Sequence, residues 1–312
     1  MTRIFPSVSG AGAGDFAHTP WDGSHPNFRI GLEPLGERSW IEVDVMFEHQ
    51  LGEKQKLLAT RNNDVFGAEP ESIAAQVEVL EMVLEELAQR HGDTHRREGD
   101  TVLARGFSVD LGDAAMPPLE KAARLVQEDL VIMMKGEDLD GEEGWRLVAG
   151  CVCFPSSWLL AEKLGKPMEQ VHAPVPQFGP GTKKAMMINR IFDKLRAEIP
   201  VLRFNWTVSA DGDLFHGAGT TGKSDRSYDS AFLRVEVQTL HKMAHSGAIL
   251  FTIRTHVDPL AMLESHPDRV RLARGLAASL SMLDTPQWHY KGLARAREQL
   301  LARIDAIASD AV

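Results

Sequence analysis

The sequence predicts an α+β fold in which helices surround an antiparallel sheet. Two observations support this prediction. Segments with the two-residue alternation of strands lie within residues 129–154 and 201–257, and segments with the three- and four-residue spacing of helices flank them. The 312 residues are enough for one large domain with additions, and fractions of 43% hydrophobic and 25% charged residues are ordinary for a globular protein.

Composition argues against several classes of protein. The formal net charge of −10 argues against general nucleic-acid binding, which requires a basic surface. No apolar run approaches the ~18 residues that a membrane-spanning helix needs. The first residues, MTRIFPSVSGAGAGDF, lack the apolar core of a signal peptide, so we expect a cytoplasmic protein.

The N-terminal region, residues 1–115, is predicted to be an arm and helices that pack on the core. Residues 1–40 are predicted to be irregular, and a helix is predicted from about residue 46 to 60. The strongest helix signal lies at Ile73–Arg90, and the polar segment 91–100 after it is predicted to be a loop with a solvated His91/His95 pair. The helix prediction depends on apolar residues at three- and four-residue spacing: Ile73, Val77, Leu80, Leu84 and Leu87.

The central region, residues 116–260, begins with two predicted strands. A short helical segment at 119–127 leads into Asp129–Met134, and Trp145–Phe154 follows across an acidic turn at 136–144, which suggests a hairpin. Short helical segments come next, at 156–164, 167–171 and 183–197, and Gly165 is expected to end the first of them.

Three further strands complete this region, with a long loop predicted at residues 210–231. They are expected at Val201–Ser209, Phe232–Leu240 and Ala248–Val257. Two strands, several short helices and three antiparallel strands are the order of a PAS-like domain. The C-terminal region, residues 261–312, is predicted to be helical, with helices at roughly 260–264, 267–282 and 292–308.

The two cysteines, Cys151 and Cys153, lie on the second predicted strand. Their i, i+2 spacing places both on one face of that strand, where packing is the more economical explanation. A zinc or iron–sulfur site of the chain's own would need more thiolates or a Cys/His cluster, and none is present in the sequence.

One of the twelve histidines, His172, lies between stiff residues in the string Val171-His172-Ala173-Pro174-Val175-Pro176. The two prolines restrict the backbone around the imidazole. A rigid, inward-facing imidazole is suited to be an axial ligand of a haem, and this is our hypothesis for His172. The alternative is an ordinary loop histidine.

Each of the last three predicted strands has one apolar and one polar face. Because helices are predicted in front of and behind the sheet, the polar faces are expected to be covered, and their side chains would have to pair with each other or with a ligand. A solvated or ion-paired face is the alternative. The polar faces carry Arg203, Asn205 and Thr207; Arg234, Glu236 and Gln238; and Thr252, Arg254 and His256.

Several separated strings, in one order, resemble the haem-dependent oxidative N-demethylase α-subunits. They extend from FRIGLEPL at residue 28 to YKG at residue 290. Between them lie LVQEDLVIM (125–133), WRLVAGCVCFPSSW (145–158), HAPVP (172–176), FNW (204–206), LRVEVQTL (233–240) and GAILFTIRTHVDPL (247–260). The resemblance covers nearly the whole chain, from about residue 20 to 295.

This resemblance implies a PAS-like domain that binds haem b and oxidises a small methylated amine, such as dimethylamine, with O₂. Formaldehyde and the demethylated amine would be the products. Electrons would come from NADPH through a separate reductase subunit that carries flavin and a 2Fe–2S cluster. The lack of a glycine fingerprint for nucleotides and of cluster cysteines here agrees with a redox relay on another chain.

The resemblance strengthens the assignment of His172 as the iron ligand. Residue chemistry then suggests that Arg234 and Arg254 hold the haem propionates, that Glu236 faces an ammonium substrate and that Asn205 hydrogen-bonds bound oxygen. The family often has an aromatic residue where this chain has His256, which would be a substitute ligand, a proton relay or a surface residue.

Two other classes of function compete with this interpretation. A haem- or small-molecule-binding sensor is one, because PAS-like domains commonly sense, although the sequence shows no attached signalling module, coiled-coil heptads or DNA-binding motif. A structural or interaction protein that has lost its cofactor is the other.

Overall fold

A seven-stranded antiparallel sheet and a separate three-stranded sheet form the framework of the protein. The structure, a computed structural model, describes residues 15–25, 27–137, 143–217, 228 and 230–309. In chain order the strands are β1 (Glu33–Pro34), β2 (Phe66–Ala68), β3 (His95–Glu98), β4 (Thr101–Ala104), β5 (Phe107–Asp110), β6 (Asp129–Glu137), β7 (Glu143–Cys151), β8 (Val201–Ser209), β9 (Phe232–Lys242) and β10 (Ile249–Pro259).

Helices cover both faces of the large sheet. They are α1 (Phe47–Thr60), α2 (Asn62–Val65), α3 (Ile73–Arg90), α4 (Pro118–Ala123), α5 (Met168–Val171), α6 (Lys183–Lys194), α7 (Met262–Ser265), α8 (Arg269–Ser281), α9 (Thr285–Tyr290) and α10 (Arg297–Ser309). The predicted α+β class is therefore confirmed. None of the helices in the described part of the chain has the length and apolar character needed to cross a bilayer.

The order of strands in the large sheet is β1-β8-β9-β10-β6-β7-β2. The five strands predicted for the central region all form, as β6 to β10, and they occupy its middle. Strand β6 of the β6–β7 hairpin pairs with β10, and β10 continues the sheet to β9 and β8. The first and the last of the five predicted strands, β6 and β10, are therefore neighbours. The N-terminal region supplies β1 and β2 at the two edges. Part of the predicted acidic turn and half of the predicted 210–231 loop lie outside the described residues.

The two faces of the large sheet bury different side chains. One, here called the cavity face, carries Val131, Met133, Leu240 and Ile249 and packs with α5 and α6. On the opposite face, β6 and β7 pack against α3 and α4, while β8 and β9 pack against α8 and α10. Both cysteines are buried and unbridged, and they belong to the opposite-face core with α3 and α4.

Helix α3 has the predicted bounds but a different buried face. Ile73 and Val77, two of the apolar residues whose spacing predicted the helix, are 53% and 42% exposed. The buried side is instead a stripe of mostly smaller residues at four-residue steps, Ala75, Val79, Val83 and Leu87, which meets α4. Small side chains allow close helix packing, and this tertiary contact selects the face.

The segment 91–110 differs most from its prediction. A three-stranded sheet, β3 to β5, replaces the predicted loop, with turns at Gly99 (φ +60°) and Gly106 (φ +90°). His95 is buried, and its Nε2 lies 2.9 Å from the carbonyl oxygen of Leu125, so its predicted solvation is wrong. Strands this short and this charged lack a clear apolar alternation.

Two helical segments also differ from their predictions, one after β7 and one near the C-terminus. Residues 156–164 form only a single 3₁₀ turn, Leu160–Glu162, because Gly165 (φ +77°) and Lys166 hydrogen-bond to the backbone of Leu147. A short helix that the sequence did not predict, α9, precedes α10. It begins at a capping box formed by Asp284 and Gln287.

Candidate functional site

A cavity of about 290 Å³ lies between the cavity face of the sheet and the segment that contains α5 and α6. Its volume is near the lower end of the range for small-molecule sites, about 300 Å³ upwards. Apolar residues form most of its walls: Val131, Met133, Leu147, Leu240, Phe251 and Ile253 from the sheet, and Met168, Val171, Ile188, Ile191 and Phe192 from the helices.

His172 reaches this cavity from the C-terminal end of α5. The helix starts after Pro167 and lasts one turn, and the backbone N–H of His172 closes it by donating to Met168 O at 3.1 Å. The imidazole Nδ1 lies 3.0 Å from the same carbonyl. Because a carbonyl only accepts, Nδ1 carries the hydrogen and Nε2 presents its lone pair. Burial lowers the pKa of His172 to about 4, so the ring is neutral at pH 7.

A buried carboxylate, Glu236, forms the polar part of the cavity wall. Its Oε1 accepts from Ser156 Oγ at 2.6 Å, and its Oε2 accepts from Asn205 Nδ2 at 3.0 Å and from Gln238 Nε2 at 2.8 Å. Burial raises the pKa of Glu236, but the Arg234 guanidinium and these hydrogen bonds lower it by more, so the net pKa lies below its usual value. Glu236 is therefore an ionised carboxylate in a largely apolar cavity.

The local fold explains why Ser156 meets Glu236. At the end of β7, the carboxylate of Asp129 accepts from the backbone N–H groups of Cys153 and Phe154 at 2.9 and 2.8 Å. The carbonyl of Phe154 then accepts from Arg234 Nη2 at 2.6 Å, while Arg234 Nε donates to Ser156 Oγ at 3.2 Å. The chain after β7 is thus fixed against β9, and Ser156 is held beside Glu236.

Arg234 is therefore a structural clamp in this structure. Its side chain is buried, it does not line the cavity, and its nitrogens donate to Phe154 O, Ser156 Oγ and, at 3.4 Å, Asp213 O. It also lies 4.0 Å from Glu236 Oε1. Its effect on the site is electrostatic support of the carboxylate, since its donors are already engaged by the protein.

Arg254 and His256 lie on the opposite face of the sheet. Residues that pair across two strands share a face of the sheet. The register pairs Glu236 with Thr255, whereas Arg254 pairs with Val237 and His256 with Val235, so the last two lie on the face opposite to Glu236. The predicted grouping of Arg254 and His256 with Glu236 is therefore wrong. Alternation separates the polar and apolar faces of each strand, but the register decides which faces lie together, and it places the apolar face of β10 in the cavity. Arg254 instead bonds Asp44, and His256 bonds Glu42, at 2.5 and 2.9 Å.

Three cationic side chains of the described residues line the cavity: Lys163, Arg203 and Lys291. Lys163 donates to the carbonyl of Val171. Arg203 neighbours Gln238 across the β8–β9 pair, and burial lowers its pKa. Its Nη2 donates to Arg29 O at 3.1 Å, but its buried Nε has no hydrogen-bond partner in the part of the chain that the structure describes. Lys291 donates to Trp206 O at 2.6 Å, and burial lowers its pKa to about 7 despite the opposing effect of Glu236.

The sequence-level assignment of roles missed Arg203, Lys291, Ser156 and Gln238. Arg203 and Gln238 could have been found, because they lie on the same strand faces as Asn205 and Glu236. Lys291 lies in the YKG string, but no pattern in the sequence shows that a residue after α9 reaches the sheet. No pattern predicts the position of Ser156 either, because it depends on the hydrogen bonds of Asp129 and Arg234 to the chain after β7.

The lowered pKa of Lys291 predicts a pH-dependent stability. Between pH 7 and about 10.4, the unfolded chain holds a proton at this position that the folded chain has released, so the free energy of unfolding should rise with pH in this window. Lys291→Met should flatten this rise in urea unfolding at pH 7, 8 and 9. The control is Lys194→Met, an exposed lysine, which should run parallel to the wild type; an unflattened Lys291→Met curve would contradict the buried cation.

The residues around the cavity fit a haem in three respects. His172 offers an imidazole nitrogen while its other nitrogen is held by a carbonyl, which is the usual arrangement for a metal-binding histidine. The walls are apolar and suit a flat macrocycle. The unpartnered Nε of Arg203 and the buried ammonium of Lys291 are donors that would pair with propionate carboxylates.

Comparison with known families agrees with this chemistry. The model of the family described as haem-dependent oxidative N-demethylase, alpha subunit-like, matches residues 31–301 of the 312. The match includes His172, Asn205, Glu236 and the sheet that holds them. The chain belongs to the haem-dependent oxidative N-demethylase, alpha subunit-like family.

Proposed function

We propose that the protein is the haem-binding subunit of an oxidative N-demethylase that acts on a small methylated amine. The observation that carries the proposal is the presence, in one apolar cavity, of a neutral histidine with an unbonded Nε2 and of an ionised carboxylate. The first suits an iron and the second suits an ammonium group. A histidine alone would also suit a haem sensor, but a buried anion in the same cavity favours a cationic substrate.

We assign His172 as the axial ligand of haem b, and Arg203 and Lys291 as the groups that hold the propionates. Family membership, the apolar walls and the donor set support this assignment. The propionate role given to Arg234 and Arg254 from the sequence is replaced, since Arg234 is engaged by the backbone and Arg254 lies on the other face. The strand order β7-β6-β10-β9-β8 supports the PAS-like classification of the core.

Glu236 is assigned to bind and orient the substrate. A small dialkylamine is protonated at neutral pH, as the lysine ammonium is. The carboxylate would form a charge-assisted hydrogen bond with this cation and hold its methyl group toward the bound cofactor. Asn205, Ser156 and Gln238 fix the two carboxylate oxygens, so that little reorganisation is needed when the amine binds. Asn205 is thus a positioning residue for Glu236.

The overall reaction needs O₂ and two electrons. In balanced form, R₂N–CH₃ + O₂ + 2 H⁺ + 2 e⁻ gives R₂NH + CH₂O + H₂O: one oxygen atom ends in formaldehyde and the other in water. The bound haem supplies the oxygen chemistry, and the protein supplies the ligand, the substrate charge pair and the exclusion of water. We propose that the electrons come from NADPH through a partner reductase subunit with flavin and a 2Fe–2S cluster, in agreement with the alpha-subunit-like family.

Formaldehyde release tests this function. The haem-loaded chain, mixed with dimethylamine in air-saturated buffer and supplied with electrons by ascorbate and a redox mediator, should release close to one formaldehyde for every two electrons and one O₂ consumed. Trimethylamine and methylammonium serve as size probes, and a reaction without amine is the blank. A haem-loaded, oxygen-consuming protein that releases no formaldehyde from any of these amines would contradict the enzymatic function and favour a sensor.

A further inference from the structure

A second cluster of metal-ligating side chains lies on the opposite face of the sheet from the cavity. His18 of the N-terminal arm, Glu42 of the segment before α1 and His256 of β10 present donor atoms that all lie within 4.8 Å of one another. His18 Nε2 is 3.1 Å from both oxygens of Glu42, and His256 Nε2 is 2.9 Å from Glu42 Oε2. The imidazole rings are 5.1 Å apart and nearly perpendicular.

The surroundings of this cluster hold more carboxyl groups than guanidinium groups. Asp44 Oδ2 lies 3.8 Å from His256 Nδ1, and Asp258 shares the strand face of His256 two residues further along β10. Glu128 lies 4.0 Å from the Arg254 guanidinium, which also bonds Asp44. Glu42, Asp44, Glu128 and Asp258 thus bring four carboxyl groups to this side of the sheet, of which Asp44 and Glu128 lie within 4.0 Å of the Arg254 guanidinium. Where such groups are ionised, a bound cation offsets their charge.

An unpaired oxygen supports the same conclusion. Asp258 is 1% exposed, and its Oδ1 has no hydrogen-bond partner within the described residues. Asp44, Arg254 and His18 are its electrostatic neighbours. A buried carboxylate oxygen without a donor requires a partner, and an ion or a ligand is one such partner. The cluster is also accessible, since the side chains of His18 and Glu42 are 27% and 28% exposed.

We propose that His18, Glu42 and His256 form a binding site for a divalent transition metal, with Zn²⁺ as the preferred ion. Two imidazoles and one carboxylate, with a fourth position left for water, are a known zinc donor set. The same set also suits Fe²⁺, but N/O sites generally bind Zn²⁺ more tightly. The two separations between imidazole nitrogen and carboxylate oxygen, 2.9 and 3.1 Å, need to open by a few tenths of an ångström for bonds of about 2.0–2.1 Å in a tetrahedral arrangement. The two imidazole nitrogens, which lie within 4.8 Å of each other, need to take a similar separation, and the partly exposed arm that carries His18 allows this shift.

Such a metal would join three separate parts of the chain. The arm that carries His18 continues to Phe28, Ile30 and Leu32, which line the haem cavity. A metal at His18 would therefore hold this wall of the cavity against the sheet. The site is distinct from the proposed haem site, because His256 and His172 lie on opposite sides of the sheet.

The test is zinc binding by the full-length, tag-free chain. After equilibration with Zn²⁺ and gel filtration, elemental analysis should give one zinc per chain in addition to the haem iron, and calorimetry should give a matching stoichiometry. His18→Gln, Glu42→Gln and His256→Gln should each weaken zinc binding by more than about tenfold, which is the smaller effect known for outer-shell partners alone. A parallel titration with Fe²⁺ under argon should show weaker binding.

His49→Gln is the matched control, since His49 is an exposed histidine on α1 with no role in the cluster, and its zinc affinity should equal that of the wild type. His18 lies on the partly exposed arm, so the His18→Gln variant should fold. It therefore tests the site even if the His256→Gln variant does not fold. A wild-type chain that binds no zinc, or a His18→Gln chain with wild-type affinity, would reduce the cluster to a hydrogen-bonded ion pair. Tighter binding of Fe²⁺ than of Zn²⁺ would overturn the choice of metal.

Discussion

His172→Ala should lower the affinity for haem by at least about 100-fold and remove the Soret band of the purified protein. The change deletes the proposed bond to iron, whereas the loss of an outer-shell partner alone commonly costs 10- to 100-fold in metal affinity. The variant should fold, because His172 lies in a loop and its backbone N–H can still close α5. The measurement is a haem titration followed by visible absorption.

The matched control for this prediction is His241→Ala. His241 is buried, and burial lowers its pKa to about 4, as it does for His172, but His241 does not line the cavity. Its removal should leave the haem titration unchanged. Equal loss of haem in both variants would indicate a general effect of losing a buried histidine and would remove the support for His172 as ligand.

Glu236→Gln should lower kcat/KM for amine demethylation by about 100- to 4,000-fold, which corresponds to the roughly 3–5 kcal/mol lost when one partner of a buried charge pair is removed. Glutamine keeps the size of the side chain but not the charge that holds the ammonium. Ser156 and Asn205 donate to the two carboxylate oxygens of Glu236. In the variant, the amide nitrogen of the glutamine would take the place of one of these oxygens and face a donor that it cannot accept from. The Soret band should be unchanged, because Glu236 is not an iron ligand in this account.

Glu78→Gln provides the control for Glu236. Glu78 is also buried and held by hydrogen bonds, from the backbone N–H groups of His245 and Ser246, but it is on α3, away from the cavity. The Glu78→Gln variant should turn over dimethylamine at the wild-type rate in the same assay. Wild-type turnover in Glu236→Gln would show that the carboxylate does not bind the amine.

The positions of the five central strands could be predicted from the sequence because their signal is local. Alternation in β8, β9 and β10 identified each strand and separated its two faces correctly. It did not determine which face of one strand joins which face of the next, since this depends on register, a non-local property. The consequence was specific: Glu236 and Asn205 share the cavity, while Arg254 and His256 lie behind the sheet.

Tertiary contacts also explain the other differences. The spacing in α3 was helical, but packing against α4 selected Ala75 and Val79 over Ile73 and Val77 for the core. The small sheet β3 to β5 is held by turns at glycines and carries few apolar residues, so it had no strong pattern to detect. The role of His172 as a stiff loop histidine was visible because two prolines and a helix end are local features.

The candidate functional residues that the sequence did not predict are those brought in by distant segments. Lys291 reaches the cavity from the turn after α9 and bonds to the carbonyl of Trp206 on β8. Ser156 depends on the contacts of Asp129 and Arg234. The cluster of His18, Glu42 and His256 joins residues more than 200 positions apart in the chain. Such groupings arise from the tertiary fold, and no local sequence pattern indicates them.

The most direct test of the central claim is the visible spectrum of His172→Gly with and without added imidazole. Glycine leaves space for a free imidazole at the position of the lost side chain. We expect no Soret band of a histidine-ligated haem in the variant alone, and recovery of a wild-type-like spectrum at millimolar imidazole, with formaldehyde release from dimethylamine returning in parallel. A wild-type spectrum in His172→Gly without imidazole would contradict the assignment of His172 as the iron ligand.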